Sequence, residues 1–127
     1  METNANVLNW FEIPATDIER AKGFYQGILD IEMSTNNMMG IEMAFFPYEM
    51  GSGKLSGAIC KSEHHKPSYD GCVIYLNANP DLQKVLDKVE QAGGQVVMPK
   101  TKISDEVGYM AFIIDTEKNR IALHSQQ

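Results

Sequence analysis

Bulky apolar residues crowd positions 7–13, with only Asn9 and Glu12 interspersed, and beyond position 17 they recur as Ile18, Ala21, Tyr25, Ile28 and Leu29. The first run has the composition of a strand, and it is closed by Pro14, which has no amide hydrogen to give to a ladder. The second has helical spacing, and Asp17 just before it supplies a carboxylate for the free amides of a helix start. Strand, cap and helix form one unit.

Moving the frame by about 62 residues repeats the unit: Trp10 falls on Cys72 within GCVIYL, and Asp17 falls on Asn79, with Pro80 at the first helical position. Leu82, Val85, Leu86, Val89 and Ala92 then share one helical face, and Gly93-Gly94 supply the stop. The pattern predicts helices over about 18–29 and 80–92. A shift close to half the chain points to a tandem of two similar modules.

The remaining segments fill the same plan. Residues 31–34 begin an extended stretch, Asn36-Asn37 mark a turn, and 40–48 read as a strand with Ile41, Met43 and Phe45 on one face and Glu42, Ala44 and Phe46 on the other. A further strand is expected over 55–61, and SEHHKPSYDG, residues 62–71, is a polar connector. The second half predicts strands over 72–77 and 95–98, a polar loop after Pro99, a strand over 109–114, a turn over 115–119 and a last strand over 120–125. The chain is therefore read as one α+β domain, 1–127, made of two βαβββ modules, about 5–62 and 71–127, joined by the 62–71 linker.

Composition narrows the function classes. A net charge of -6 with eleven scattered Lys and Arg gives no attraction for a phosphate backbone or an anionic lipid surface, so no nucleic acid and no membrane partner is expected. No apolar run approaches the ~20 residues that span a bilayer, and the first ten residues lack a signal peptide's basic flank and apolar core, which places the chain in the cytoplasm. Cys60 and Cys72 lie in strand-like segments without metal-ligand or disulfide-framework spacing, and both are read as reduced, buried thiols. The adjacent His64 and His65 are read as solvated loop residues. Lys100 and Lys102 are read as loop surface.

FEIPATDIERAKGFYQGIL, the second strand and helix, and the closing DTEKNRIALHS together resemble the vicinal oxygen chelate superfamily of glyoxalases, bleomycin-resistance proteins and dioxygenases. The residues carrying the likeness are Asp17, Ala21, Phe24 and Tyr25, then Asp115, Asn119 and Leu123. Lys118 stands where the family usually has glycine. The resemblance implies two βαβββ modules whose curved sheets enclose a cavity, a small organic ligand, and a homodimer. In metal-dependent members, His and Glu ligands sit on the first and last strands of each module. The matching positions here are Trp10, Cys72, Ala122 and one near Ile59 or Cys60. Tryptophan and alanine offer no electron pair to a divalent ion, so no metal and no cofactor is expected.

With the family's positions marking the cavity side, strand alternation turns Glu12, Arg120 and His124 toward it. Glu12 and His124 are the candidate acid–base pair, and Arg120 is a candidate holder of an anionic or carbonyl oxygen. The competing reading is a structural Glu12–Arg120 ion pair with a solvated His124. Trp10, Cys72, Met43 and Tyr75 complete the candidate ligand-binding set. Two functions stay open: a metal-independent lyase or isomerase of glyoxalase type, and a non-catalytic drug- or metabolite-binding protein. A metal-dependent glyoxalase or dioxygenase is third.

Overall fold

Asp17 accepts a hydrogen bond from the Arg20 amide at 3.0 Å, and the helix it caps, α1 (Ile18–Leu29), follows strand β1 (Trp10–Pro14) as its sequence pattern requires. The computed structural model describes residues 1–127. After α1 come β2 (Ser34–Met38), β3 (Ile41–Phe45) and β4 (Ser56–Lys61). The second half holds β5 (Tyr75–Asn77), α2 (Leu82–Val89), β6 (Gln95–Ser104), β7 (Gly108–Ile114) and β8 (Arg120–Ser125). Each half is a βαβββ module with a four-stranded sheet, ordered β1-β4-β3-β2 in the first and β5-β8-β7-β6 in the second. In both, the first strand runs parallel to the last, β1 beside β4 and β5 beside β8.

The ladders give the internal repeat a firmer register. Ile13 pairs with Ile59 and Leu76 with Leu123, all four in the core, so Ile13 corresponds to Leu76 and Glu12 to Tyr75. The frame shift in this strand is one residue more than the sequence suggested, and Trp10 matches Val73 rather than Cys72. Cys72 is exposed and lies outside β5, which is shorter than the expected 72–77, so the reading of two buried thiols holds only for Cys60.

Three further expectations are corrected. The cap of α2 is Asp81, whose side chain accepts from the Gln83 amide at 3.0 Å, whereas the Asn79 side chain accepts from the Gln126 amide. Asn36-Asn37 lie inside β2, and the hairpin turns at Met39 and Gly40, where φ is 55 and 78 degrees; Gly40 adopts this conformation at no steric cost. The stretch after Pro99 is not a loop but the outer half of β6, which pairs with β7 through several register shifts that accommodate the proline. There Lys100 is fixed, with its Nζ 2.9 Å from Asp81 and over the Tyr109 ring.

One hydrophobic cluster runs through both modules and includes Ile13, Phe24, Tyr25 and Ile59 from the first and Leu76, Leu82, Ile113 and Leu123 from the second. Each such side chain contributes about 1.5–3 kcal/mol by leaving water. On the other face of the first sheet, a smaller cluster of Met43, Ala58 and Cys60 packs with Ile41 and Phe45. The two-faced reading of β3 therefore holds. No helix is long and apolar enough to cross a membrane.

The modules are joined by polar contacts. The turn between β7 and β8 folds on Asp115, whose Oδ1 accepts from the Glu117 and Asn119 amides, both at 2.9 Å. Tyr25 donates its hydroxyl to Asp115 Oδ2 at 2.6 Å, and Asn119 Nδ2 donates to the Pro14 carbonyl at 2.7 Å. Glu117 Oε1 accepts from the Thr16 and Asp17 amides at the start of α1, a position where the helix dipole favours an anion. These contacts bring the end of β1 near the turn before β8, and a cavity lies between the two strands.

Candidate active site

That cavity, of about 250 Å³, is walled by Glu12 and Pro14 of β1, Arg120 of β8, and Ser68, Asp70 and Cys72 from the connector and the segment after it. Three sequence-predicted residues, Glu12, Arg120 and Cys72, therefore come together. The contribution of the connector was not foreseen: Tyr69 lies with its ring 5.1 Å from the Arg120 guanidinium, and Phe112 of β7 lies at 5.3 Å. Both rings lie within cation–π range of the guanidinium, which their quadrupoles attract. Its Nε is the single buried side-chain polar atom with no hydrogen-bond partner. Buried polar groups are nearly always paired, and leaving one unpaired costs about 1–3 kcal/mol.

Glu12 does not pair with Arg120. Its Oε1 is 2.8 Å from Nε2 of His65, whose Nδ1 is 2.7 Å from the Ser62 hydroxyl. An ionised carboxylate only accepts, so Nε2 then carries the proton and Nδ1 accepts from Ser62. His65 is thus a bound, largely covered residue rather than a solvated one, with its side chain 17% exposed. The sequence signal was weak but present: Ser62 three residues before His65 permits the turn in which the His65 amide reaches the Ser62 carbonyl. Cys60 lies against the same carboxylate. Burial, and then the neighbouring Glu12, push its thiol up to about 12.

The other predicted residues are dispersed. His124 is tied by Nε2 to the Val107 carbonyl at 2.6 Å and does not line the cavity, so the imidazole beside Glu12 is His65. Tyr75 is half exposed and stands 6.4 Å from Phe112, extending the aromatic row on Arg120. Trp10 is partly exposed, 6.2 Å from Phe45, and lines a separate groove with Met33 and Tyr48. Met43 is buried against Ala58 and Cys60.

The ladder also settles where a metal of the vicinal oxygen chelate type would have to be held. Ala122 pairs with Tyr75 as Ala58 pairs with Glu12, so the fourth position is Ala58, not Ile59 or Cys60. By the same register the second-module counterpart of Trp10 is Val73, and Trp10, Val73, Ala58 and Ala122 offer no donor. These residues do not fit the family's metal.

The comparisons agree with this architecture. The family model described as Glyoxalase/Bleomycin resistance protein/Dioxygenase superfamily matches residues 7–123. The mycobacterial protein named "Putative glyoxylase CFP32", from Mycobacterium bovis and Mycobacterium tuberculosis, is 33% identical over 112 residues, 84% of this chain. The chain spans 41% of that relative's length. A glyoxalase/bleomycin resistance protein from Albidiferax ferrireducens superposes with a TM-score of 0.67 at 15% identity, covering 96% of this chain and 100% of that one. Glyoxalase I from Zea mays gives 0.66 at 13% identity, covering 92% of this chain and 43% of that one. A family match over nearly the whole chain, on a fold of two βαβββ modules, places the protein in the glyoxalase/bleomycin resistance protein/dioxygenase superfamily.

Proposed function

We propose that the cavity between the modules binds a small organic molecule carrying a carboxylate or carbonyl oxygen, with Arg120 as its anchor. The observation that carries this reading is the Arg120 guanidinium on the cavity wall, close to the Tyr69 and Phe112 rings and in no salt bridge. A guanidinium with no carboxylate partner in the protein is a strong donor to a ligand oxygen. Glu12, on the wall of the same cavity and oriented by His65, is the acceptor for a proton on the carbon adjacent to the carbonyl or carboxylate carbon. That is a lyase or isomerase step, and it is supported by relatives whose names carry glyoxalase or glyoxylase.

The test is a binding panel of 2-oxo and 2-hydroxy carboxylates, measured by calorimetry in the presence of a chelator. Arg120→Met is expected to weaken binding about 10–100-fold, the worth of a hydrogen bond to a charged group. Glu12→Gln is expected to leave affinity nearly intact and to slow any turnover by about 100-fold. A panel in which nothing binds, or binding indifferent to Arg120→Met, overturns the reading.

The exposed Trp10–Phe45 pair beside Met33 and Tyr48 favours a second reading, a binder without turnover that stacks a flat molecule there. Quenching of Trp10 fluorescence by a ligand that ignores Arg120→Met would mark that case. A homodimer remains part of the proposal, checked by light scattering.

A further inference from the structure

Glu12 of β1, Cys60 of β4 and His65 of the following turn each offer one donor atom, and the three atoms lie within 4.8 Å of one another. We infer that this trio is a metal site for a borderline divalent ion, zinc above all, displaced from the family's positions by one same-face step. The displacement is the same on both strands. Glu12 lies two residues beyond Trp10, and Cys60 lies two beyond Ala58, about 6–7 Å along parallel strands whose side chains alternate. Where the family's places have become tryptophan and alanine, the next places on the same face hold a carboxylate and a thiol.

Oxygen, sulfur and imidazole nitrogen together form the donor set that zinc and cobalt accept in tetrahedral geometry, with three protein ligands leaving a fourth position open. The imidazole is already aimed. Ser62 holds Nδ1 at 2.7 Å and the Ser62–His65 bridge fixes the backbone, which leaves Nε2 directed at the Glu12 carboxylate. A partner on the far ring nitrogen is the usual support of a metal-ligating histidine. On binding, the Cys60 thiol gives its proton to solvent, the His65 proton moves to Nδ1 and is donated to the Ser62 hydroxyl, and the carboxylate ligates through one oxygen. The second carboxylate oxygen remains free to accept a proton.

The site is independent of the Arg120 reading, because it is tested with metal alone and no organic ligand. Protein stripped with a chelator is titrated with Co²⁺ and Zn²⁺. One ion per chain is expected, and cobalt should show an intense thiolate-to-metal charge-transfer band. Cys60→Ser should abolish that band. His65→Gln should weaken affinity by more than the roughly 10–100-fold that loss of a supporting group costs, and Ser62→Ala should fall within that range. Cys72→Ser should change nothing. If Cys60→Ser fails to fold, His65→Gln and Cys72→Ser still decide the matter. Absence of stoichiometric binding, a band that survives Cys60→Ser or one lost with Cys72→Ser overturns the site.

Discussion

Arg20 on α1 and Glu117 in the turn before β8 meet with Nε 2.7 Å from Oε2, although they are 97 residues apart and belong to different modules. The Glu117 side chain has no exposure to solvent. Burial by itself pushes its carboxyl up, but the Arg20 guanidinium, the Thr16 and Asp17 amides and the Thr116 hydroxyl outweigh that and hold it at about 2. A carboxyl depressed on folding contributes stability that is fully present above its ordinary value and lost as pH falls through the folded one. From 4.5 to about 2, that is about 3 kcal/mol. Resistance to urea is therefore expected to fall as the pH is lowered from about 4.5 to about 2. Glu117→Gln should lower stability by about 3 kcal/mol at neutral pH and flatten that part of the profile. An unchanged acid limb in the variant would place its origin elsewhere.

Lys118 has a φ of 78 degrees, the left-handed conformation that a side chain makes unfavourable. The resemblance to the superfamily implies a glycine at this position, which this backbone conformation would favour. Lys118→Gly is expected to raise stability by about 1 kcal/mol, read as an increase in urea midpoint without a change in slope. A loss of stability would mean that the lysine side chain makes a compensating contact.

The parts of the fold legible in the sequence were those in which local chemistry and tertiary demand coincide. Asp17 caps α1 because the strand ends at Pro14 and the apolar helical face begins at Ile18, and all three signals agree. The failures arose where a local signal was overridden. Asn36-Asn37 have turn propensity, yet they pair with Met43 and Glu42 because the hairpin bends at Gly40. Polar residues after Pro99 resemble a loop, yet they pair with β7 along an edge strand that solvent covers on one side.

The site was legible only along strands. Alternation turned Glu12 and Arg120 to one side, where both line the cavity, since side-chain direction in a strand follows from position alone. His65, Tyr69 and Cys60 were missed as partners. Their encounter with Glu12 and Arg120 depends on how the connector folds back, which no periodicity encodes. The one-residue error in the repeat register is of the same kind, because it moves Trp10 from Cys72 to Val73.

Tyr25 and Asp115 supply the next prediction. The tyrosine hydroxyl, fully buried, donates to Asp115 Oδ2 at 2.6 Å, and burial together with that carboxylate raises the phenol well above its usual range. Burial likewise pushes Asp115 up, against the pull of its hydrogen bonds from Tyr25, Asn119 and the Glu117 amide. Tyr25→Phe keeps the ring packing on Phe24 and Phe46 but leaves the carboxylate one donor short. A loss of about 1–3 kcal/mol is expected by chemical denaturation, together with easier protonation of Asp115. A neutral result would mean that the remaining donors suffice.

Arg120 should behave in the opposite way, and the contrast separates a structural residue from a functional one. Its Nε is buried with no acceptor, a cost of about 1–3 kcal/mol, while its contacts with Tyr69 and Phe112 return about 1 kcal/mol. Methionine has similar length, no polar hydrogen to satisfy, and a thioether that packs well against both rings. Arg120→Met is therefore expected to leave thermal stability unchanged or to raise it by up to about 1 kcal/mol, even as it weakens binding of the proposed ligand. Sites kept at a cost to stability are those retained for what they bind. A loss above about 2 kcal/mol would make Arg120 a structural brace and would remove the reason for assigning it a ligand.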